Sequence, residues 1–154
     1  MQKITPCFWF DNNLEEAFNF YASVFKDAKI KITRIPGGPG GETLVGEITL
    51  FGQEFRALNG GPLFNFNESI SFYVSCEDQK EVDYYWSKLT ADGGKESACG
   101  WLKDKYGVSW QITPKHVFKM LEDKDQAKVG RAMAAMMKMS KIDLKKMEDA
   151  FNGK

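Results

Sequence analysis

Histidine is almost missing from this sequence: there is one in 154 residues, His116, beyond the last strand-like segment. Cysteine is little better represented, with Cys7, Cys76 and Cys99 odd in number, far apart and without a CxxC pair. Zinc sites need several imidazoles or thiolates at short spacings, so no zinc site is expected here, and three free thiols in a reducing compartment are. Charge of one sign is also lacking: 21 Lys and Arg balance 21 Asp and Glu, and no basic run stands out. Binding a phosphate backbone requires a basic surface, so nucleic acid is not an expected partner. No apolar stretch approaches the roughly 18 residues that would cross a membrane. The opening "MQKITPCFWF" lacks the order of charge, apolar run and cleavage site of a signal peptide, which leads to the expectation of a cytoplasmic protein.

Aromatic residues are plentiful, 14% of the chain with twelve Phe and four Trp, as suits large side chains packed between layers or lining a pocket. The length holds one domain with a sizeable core or two small coupled modules. The first 114 residues run twice through one programme. "ITPCFWF" reads as a strand, and Asn13 is a good N-cap for a helix whose Leu14, Ala17, Phe18, Tyr21 and Phe25 share a stripe. Strand-like segments follow at about 28–34, 43–50 and 53–59. "SISFYVSC" opens the second pass, and Asp78 caps a helix with Val82, Tyr85, Trp86 and Leu89 on its stripe. "GGKESACGWLK" and "GVSWQIT" supply the closing strands. A shift of 65 residues lays Asn13 on Asp78, Glu16 on Glu81 and Tyr21 on Trp86, the mark of a duplicated βαβββ unit.

"ITPCFWFDNNLEEAFNFYASVF", "ALNGGP", "SCEDQKEVDYYW" and "CGWLKDKYGVSWQITP" together resemble the PhnB-like branch of the glyoxalase/bleomycin-resistance/dioxygenase superfamily, the vicinal oxygen chelate fold. That branch is often labelled 3-demethylubiquinone-9 3-methyltransferase, although its fold is not a methyltransferase fold. The resemblance implies an α+β protein in which two tandem βαβββ modules, about 1–62 and 63–114, form a cupped incomplete barrel. A helical extension over 115–154 follows. It also implies a homodimer with a small-molecule ligand inside the cup.

Strand alternation separates the two faces of each sheet. Ile70, Phe72, Val74 and Cys76 are expected against the helices, leaving Ser71, Tyr73 and Ser75 in the cup. In the last strand Val108, Trp110 and Ile112 face the helices, and Ser109, Gln111 and Thr113 the cup. Aligning Gly52 with Gly107 sets Arg56 in the place of Gln111 and turns Glu54, Arg56 and Leu58 inward. A two-residue loop at Phe51-Gly52 sets Glu47 directly opposite Arg56. Arg56, oriented by Glu47, then either meets an anionic ligand or forms a structural ion pair on the wall of the cup. Phe8 and Tyr73 are the expected aromatic walls. Asn59, at the end of a cup strand, either binds ligand or serves the Asn-Gly turn.

Metalloenzymes of the resembled superfamily hold a divalent cation with His and Glu at symmetric strand positions. Those positions fall here on Pro6, near Arg56, on Ser71 and on Gln111. Pro carries no ligating side chain, Ser is a poor ligand, Gln is neutral and Arg repels a cation, so no metal and no other cofactor is expected. "PGGPGGE" at 36–42 lacks the strand–GxGxxG–helix order of nucleotide or S-adenosylmethionine binders and reads as an inter-strand loop. His116 reads as a solvated residue at a helix start, and Cys99 as a buried, inert thiol.

In the extension, Val129, Met133, Met136 and Met137 share one helical face and Leu144, Met147 and Phe151 another, before an Asn152-Gly153 stop. These stripes are expected to pack on the barrel or on a second subunit, with Lys128, Arg131 and Lys138 solvated. The expectation for function is metal-free binding of a small polar or anionic ligand by Phe8, Glu47, Arg56, Asn59, Ser71, Tyr73 and Gln111. The rivals are a lyase or isomerase using Glu47 or Glu54 as base, the labelled methyl transfer, and an interaction module working through the Met-rich extension.

Overall fold

The computed structural model describes residues 2–38 and 41–154. They form two compact units, Met1–Asn65 and Phe66–Lys154. In the first, β1 (Cys7–Phe10) leads to α1 (Leu14–Val24), and β2 (Lys29–Pro36), β3 (Glu42–Leu50) and β4 (Gln53–Asn59) complete a sheet of order β1-β4-β3-β2. β1 runs parallel to β4, while β2, β3 and β4 pair antiparallel.

The helical stripe of α1 is buried as its spacing requires: Leu14, Ala17, Phe18 and Tyr21 are fully enclosed. It packs on the sheet face carrying Phe8, Phe10, Ile48, Leu50, Phe55 and Ala57. Gly46 lets the helix come close, because a Cβ there would lie 2.6 Å from the Phe18 ring. Phe51 and Gly52 turn the β3–β4 hairpin with φ of 49° and 78°, the two left-handed residues of a type I′ turn, and set Glu47 opposite Arg56. Asn13 stands at the N-cap of α1 without making a side-chain cap. Its Oδ1 is buried and unpartnered, and the first helical N–H, of Leu14, donates instead to Asn59 Oδ1 at 3.0 Å.

The second unit repeats the order with shorter strands. β5 (Phe72–Cys76), α2 (Gln79–Leu89), β6 (Lys95–Glu96), β7 (Trp101–Lys103) and β8 (Ser109–Pro114) give a sheet of order β5-β8-β7-β6, again with the outer first strand parallel to the last. Asp78 caps α2 by accepting from Glu81 N, and the Glu81 carboxylate accepts from Glu77 N at 2.6 Å. The β7–β8 hairpin closes around a buried carboxylate that sequence spacing did not reveal. Asp104 accepts from the backbone N–H groups of Tyr106 and Val108 and, at 2.9 Å, from the Trp110 indole. Ile70 is corrected: β5 begins at Phe72, and Ile70 is 72% exposed instead of meeting a helix.

The extension forms α3 (Lys115–Leu121), α4 (Gln126–Met136) and α5 (Leu144–Phe151) and belongs to the second compact unit. Val117, Ala132, Ile142 and Met147 make its core, with Met136, Met139 and Phe151 packed around them. Gln79 holds it to α2 with both ends of its amide, donating to Ile142 O and accepting from Leu144 N. Cys99 and Gly100 N–H groups donate to Met139 and Ser140 carbonyls. Two details differ from expectation. Met137 is 64% exposed, because the packed face of α4 turns about Ala132. Arg131 is not simply solvated: its guanidinium donates to the Ala150 and Phe151 carbonyls and closes the end of α5.

Candidate functional site

Each sheet has one face under its helix and one turned away from it, and the charged and polar rows lie on the second. In the first unit, register brings Cys7, Arg56, Glu47 and Lys31 into one row across all four strands. Arg56 Nη2 lies 3.8 Å from Glu47 Oε1, and both side chains are more than half exposed. The row borders a recess of about 330 Å³ that also takes in Thr33, Val45 and Leu58. Lys31 adds a second cation beside the pair, so the row carries one positive charge in excess. Burial raises the Cys7 thiol pKa, with the Arg56 charge opposing, and so favours the protonated thiol. Glu54 lies on the same face but is engaged: its carboxylate accepts from Gln2 N at 3.2 Å.

The matching row of the second unit is different in kind. Gln111 stands where Arg56 stands in the first, with Tyr73 opposite on β5 and Trp101 opposite on β7. Gln111 Nε2 donates to Ser71 Oγ at 2.8 Å. The Tyr73 ring meets Phe118 of α3 at 5.2 Å. Burial raises the Tyr73 phenol pKa, and a hydrogen bond with Thr113 opposes the shift. The next row holds Ser109, Lys103 and Lys95, and Lys103 is paired to Glu68 at 2.5 Å.

The structure thus joins Glu47 to Arg56 in one unit, and Ser71, Gln111 and Tyr73 in the other. Phe8 and Asn59 are corrected. Phe8 pairs with Ala57 on the helix side, stacks on Phe55 at 5.4 Å and is 3% exposed. Aromatics at three consecutive positions of "CFWF" hide the alternation that would have placed it. Asn59 shares that parity and spends its side chain capping α1. Lys31, Cys7 and Trp101 went unnoticed in the sequence; the alternate lysines of "KIKIT" were the available signal for Lys31. Phe118 had none, since α2 and three further strands intervene between it and β5, the strand it meets. His116 is exposed at the start of α3, and Cys99 is half-buried with its Sγ 3.5 Å from Met137 Sδ. The loop "PGGPGGE" joins β2 to β3 with no helix after it, and its Pro39 and Gly40 lie outside the described residues.

The divalent cation implied by the fold does not fit these side chains. Arg56 places a fixed positive charge in the row, Cys7 is held toward its neutral form, and Gln111 has turned its amide nitrogen to Ser71. Among the described residues no three His, Cys, Asp or Glu side chains converge, and no helix is long and apolar enough to cross a membrane.

The sequence matches the family described as 3-demethylubiquinone-9 3-methyltransferase over residues 2–113. Among solved structures, the PhnB protein from Bacillus cereus is 40% identical, with a TM-score of 0.64, over 73% of this chain and 99% of that one. Protein PA1353 from Pseudomonas aeruginosa shares the fold at 16% identity and a TM-score of 0.60, over 74% of this chain and 98% of that one. The fosfomycin resistance protein FosX from Listeria monocytogenes, in complex with Mn(II) and 1S,2S-dihydroxypropylphosphonic acid, does so at 15% identity. Its TM-score is 0.51, over 71% of this chain and 90% of that one. No curated protein matches the sequence.

Proposed function

The chain belongs to the 3-demethylubiquinone-9 3-methyltransferase family, PhnB-like, within the vicinal oxygen chelate superfamily, and from that premise we propose that it binds a small polar or anionic compound without a metal ion. The observation that carries this reading is the Arg56 guanidinium, set by cross-strand register against Glu47 and beside Lys31 on a 330 Å³ recess. A half-exposed ion pair adds little stability, so the arrangement is worth more as a receptor than as a brace. The ligand anchors are Arg56 and Glu47 in the first unit and Ser71, Tyr73 and Gln111 in the second. The protein acts as a cytoplasmic homodimer, a state that light scattering on the eluted protein checks.

Calorimetric titration with acetate and inorganic phosphate tests the proposal. Binding should weaken with added salt and fall about tenfold in Arg56→Gln, the order of one charge-assisted contact. Unchanged affinity in that variant overturns the assignment.

The methyl transfer in the family's description is the competing reading, and micromolar binding of S-adenosylmethionine would establish it over ours. A lyase or isomerase needs a desolvated carboxylate. The Glu47 side chain is 57% exposed, which argues against that role, and turnover abolished in Glu47→Gln with affinity intact would restore it. The Met-rich extension is committed largely to the core of its own unit, which weakens the case for an interaction module.

A further inference from the structure

We propose that the second unit takes a planar aromatic or heteroaromatic group bearing an N–H or O–H donor on the Tyr73–Gln111–Trp101 row, with Phe118 as a specificity-determining residue. The inference rests on the small-molecule reading above and adds the chemistry of the ligand.

Three features of that row converge on it. Gln111 is flanked in register by an aromatic residue on each neighbouring strand, Tyr73 and Trp101. Its Nε2 is committed to Ser71 Oγ at 2.8 Å, which fixes the amide and leaves Oε1 as an acceptor without a protein partner among the described residues. The aromatic surface beside it is incompletely covered: Tyr73 is 39% and Phe118 48% exposed, although the two rings are in contact. Flat faces next to an oriented acceptor suit a ring that stacks on the aromatics and donates to the amide.

Phe118 sharpens the selection. It lies outside residues 2–113, the span matched to the family, so the extension brings an aromatic side chain of its own to Tyr73. It is placed by its neighbour: Val117, 2% exposed, is locked into the core of the extension and turns the next residue outward. Phe118 can therefore be changed without opening that core.

The test titrates the full chain with benzamide and with cyclohexanecarboxamide, which carry the same donor on a flat and a puckered ring. Binding is followed by NMR of the aromatic side chains. Benzamide should bind about tenfold more tightly and move the Tyr73 and Trp101 resonances, a margin in keeping with stacking on aromatic side chains. Phe118→Ala should weaken benzamide about fivefold and narrow the gap between the amides, Phe118→Tyr should keep it, and Gln111→Leu should weaken both amides. Equal affinity of the two amides for the native chain, or an unchanged ratio in Phe118→Ala, overturns the inference. Both probes are neutral, so acetate and phosphate binding lost in Arg56→Gln, with no benzamide bound, would sink this inference and leave the anion reading standing. Benzamide bound with neither anion bound would do the reverse.

Discussion

The two units share a strand order, a parallel outer pair and a buried helical stripe, yet the faces turned away from α1 and α2 present opposite chemistries. Across the first runs Cys7–Arg56–Glu47–Lys31; across the second runs Tyr73–Gln111–Trp101. The covered faces are bound by packing: each residue there touches many others, and a change in volume is felt throughout. The far faces are less tightly bound, although Phe118 of α3 lies against Tyr73 and Ser109 and Thr113 are buried, so one scaffold holds a charged row and an aromatic amide row at equivalent positions. The duplicated fold repeats the row positions, and the alternate residues of its strands set the chemistry each row presents.

The hairpins that close the two sheets differ as sharply, and the second gives the largest expected effect. The second depends on Asp104, which accepts from three donors in a buried site. Asp104→Ala should lower unfolding free energy in urea by about 3–5 kcal/mol, since three donors lose their charged acceptor. The first hairpin turns on two left-handed residues, with the Phe51 ring edge-on to Phe25, and Gly52→Ala, at φ of 78°, should cost only about 1 kcal/mol. Similar losses in the two variants would break the comparison.

Close approach is the next point of contrast. Gly46 yields space to Phe18 of α1, whereas Gly100, at φ of 82°, yields it both to the Ile112 carbonyl of β8 and to Ile142 of the extension, where a Cβ would lie 2.9 and 3.0 Å away. Gly46→Ala should destabilise by about 2 kcal/mol through overpacking. Gly100→Ala should do so by a similar amount and, unlike Gly46→Ala, speed hydrogen exchange in 139–144. Gln79→Ala, which removes both amide bonds to the extension, should cost about 1–2 kcal/mol and speed exchange in that same segment.

The last effect is absent at neutral pH and appears only in alkali. Burial, with Glu81 and Asp78 nearby, pushes the Cys76 thiol from 9.0 up to about 12. A pKa raised on folding contributes stability that is complete below the unfolded value and lost as pH rises from about 9 through 12. The urea midpoint should therefore fall across that window, and less steeply in Cys76→Ala. Cys7, exposed on the first unit, should react with iodoacetamide while Cys76 does not.

Much of this was legible because it is local. Helical spacing marked Leu14, Ala17, Phe18 and Tyr21 and, in the repeat, Val82, Tyr85, Trp86 and Leu89, all of them buried. The two-residue loop at Phe51-Gly52 sufficed to place Glu47 against Arg56. Failures came where neighbours distant in sequence decided the outcome. Asn13 has the residue type of a cap, but Asn59, from the far strand, reaches Leu14 N instead. Phe8 went to the core because Ala57 across the sheet faces the helix, and "CFWF" contains nothing to say so.

By itself the sequence determined the duplicated α+β plan, the paired charges at Glu47 and Arg56, and a residue set poor in metal ligands, because period, turn length and side-chain chemistry are properties of short stretches. Tertiary structure alone decided that Gln111 leans on Ser71, and that the extension packs within the second unit and sets Phe118 against Tyr73. Those outcomes depend on which strands become neighbours and which surfaces remain to be covered, and no local pattern encodes either.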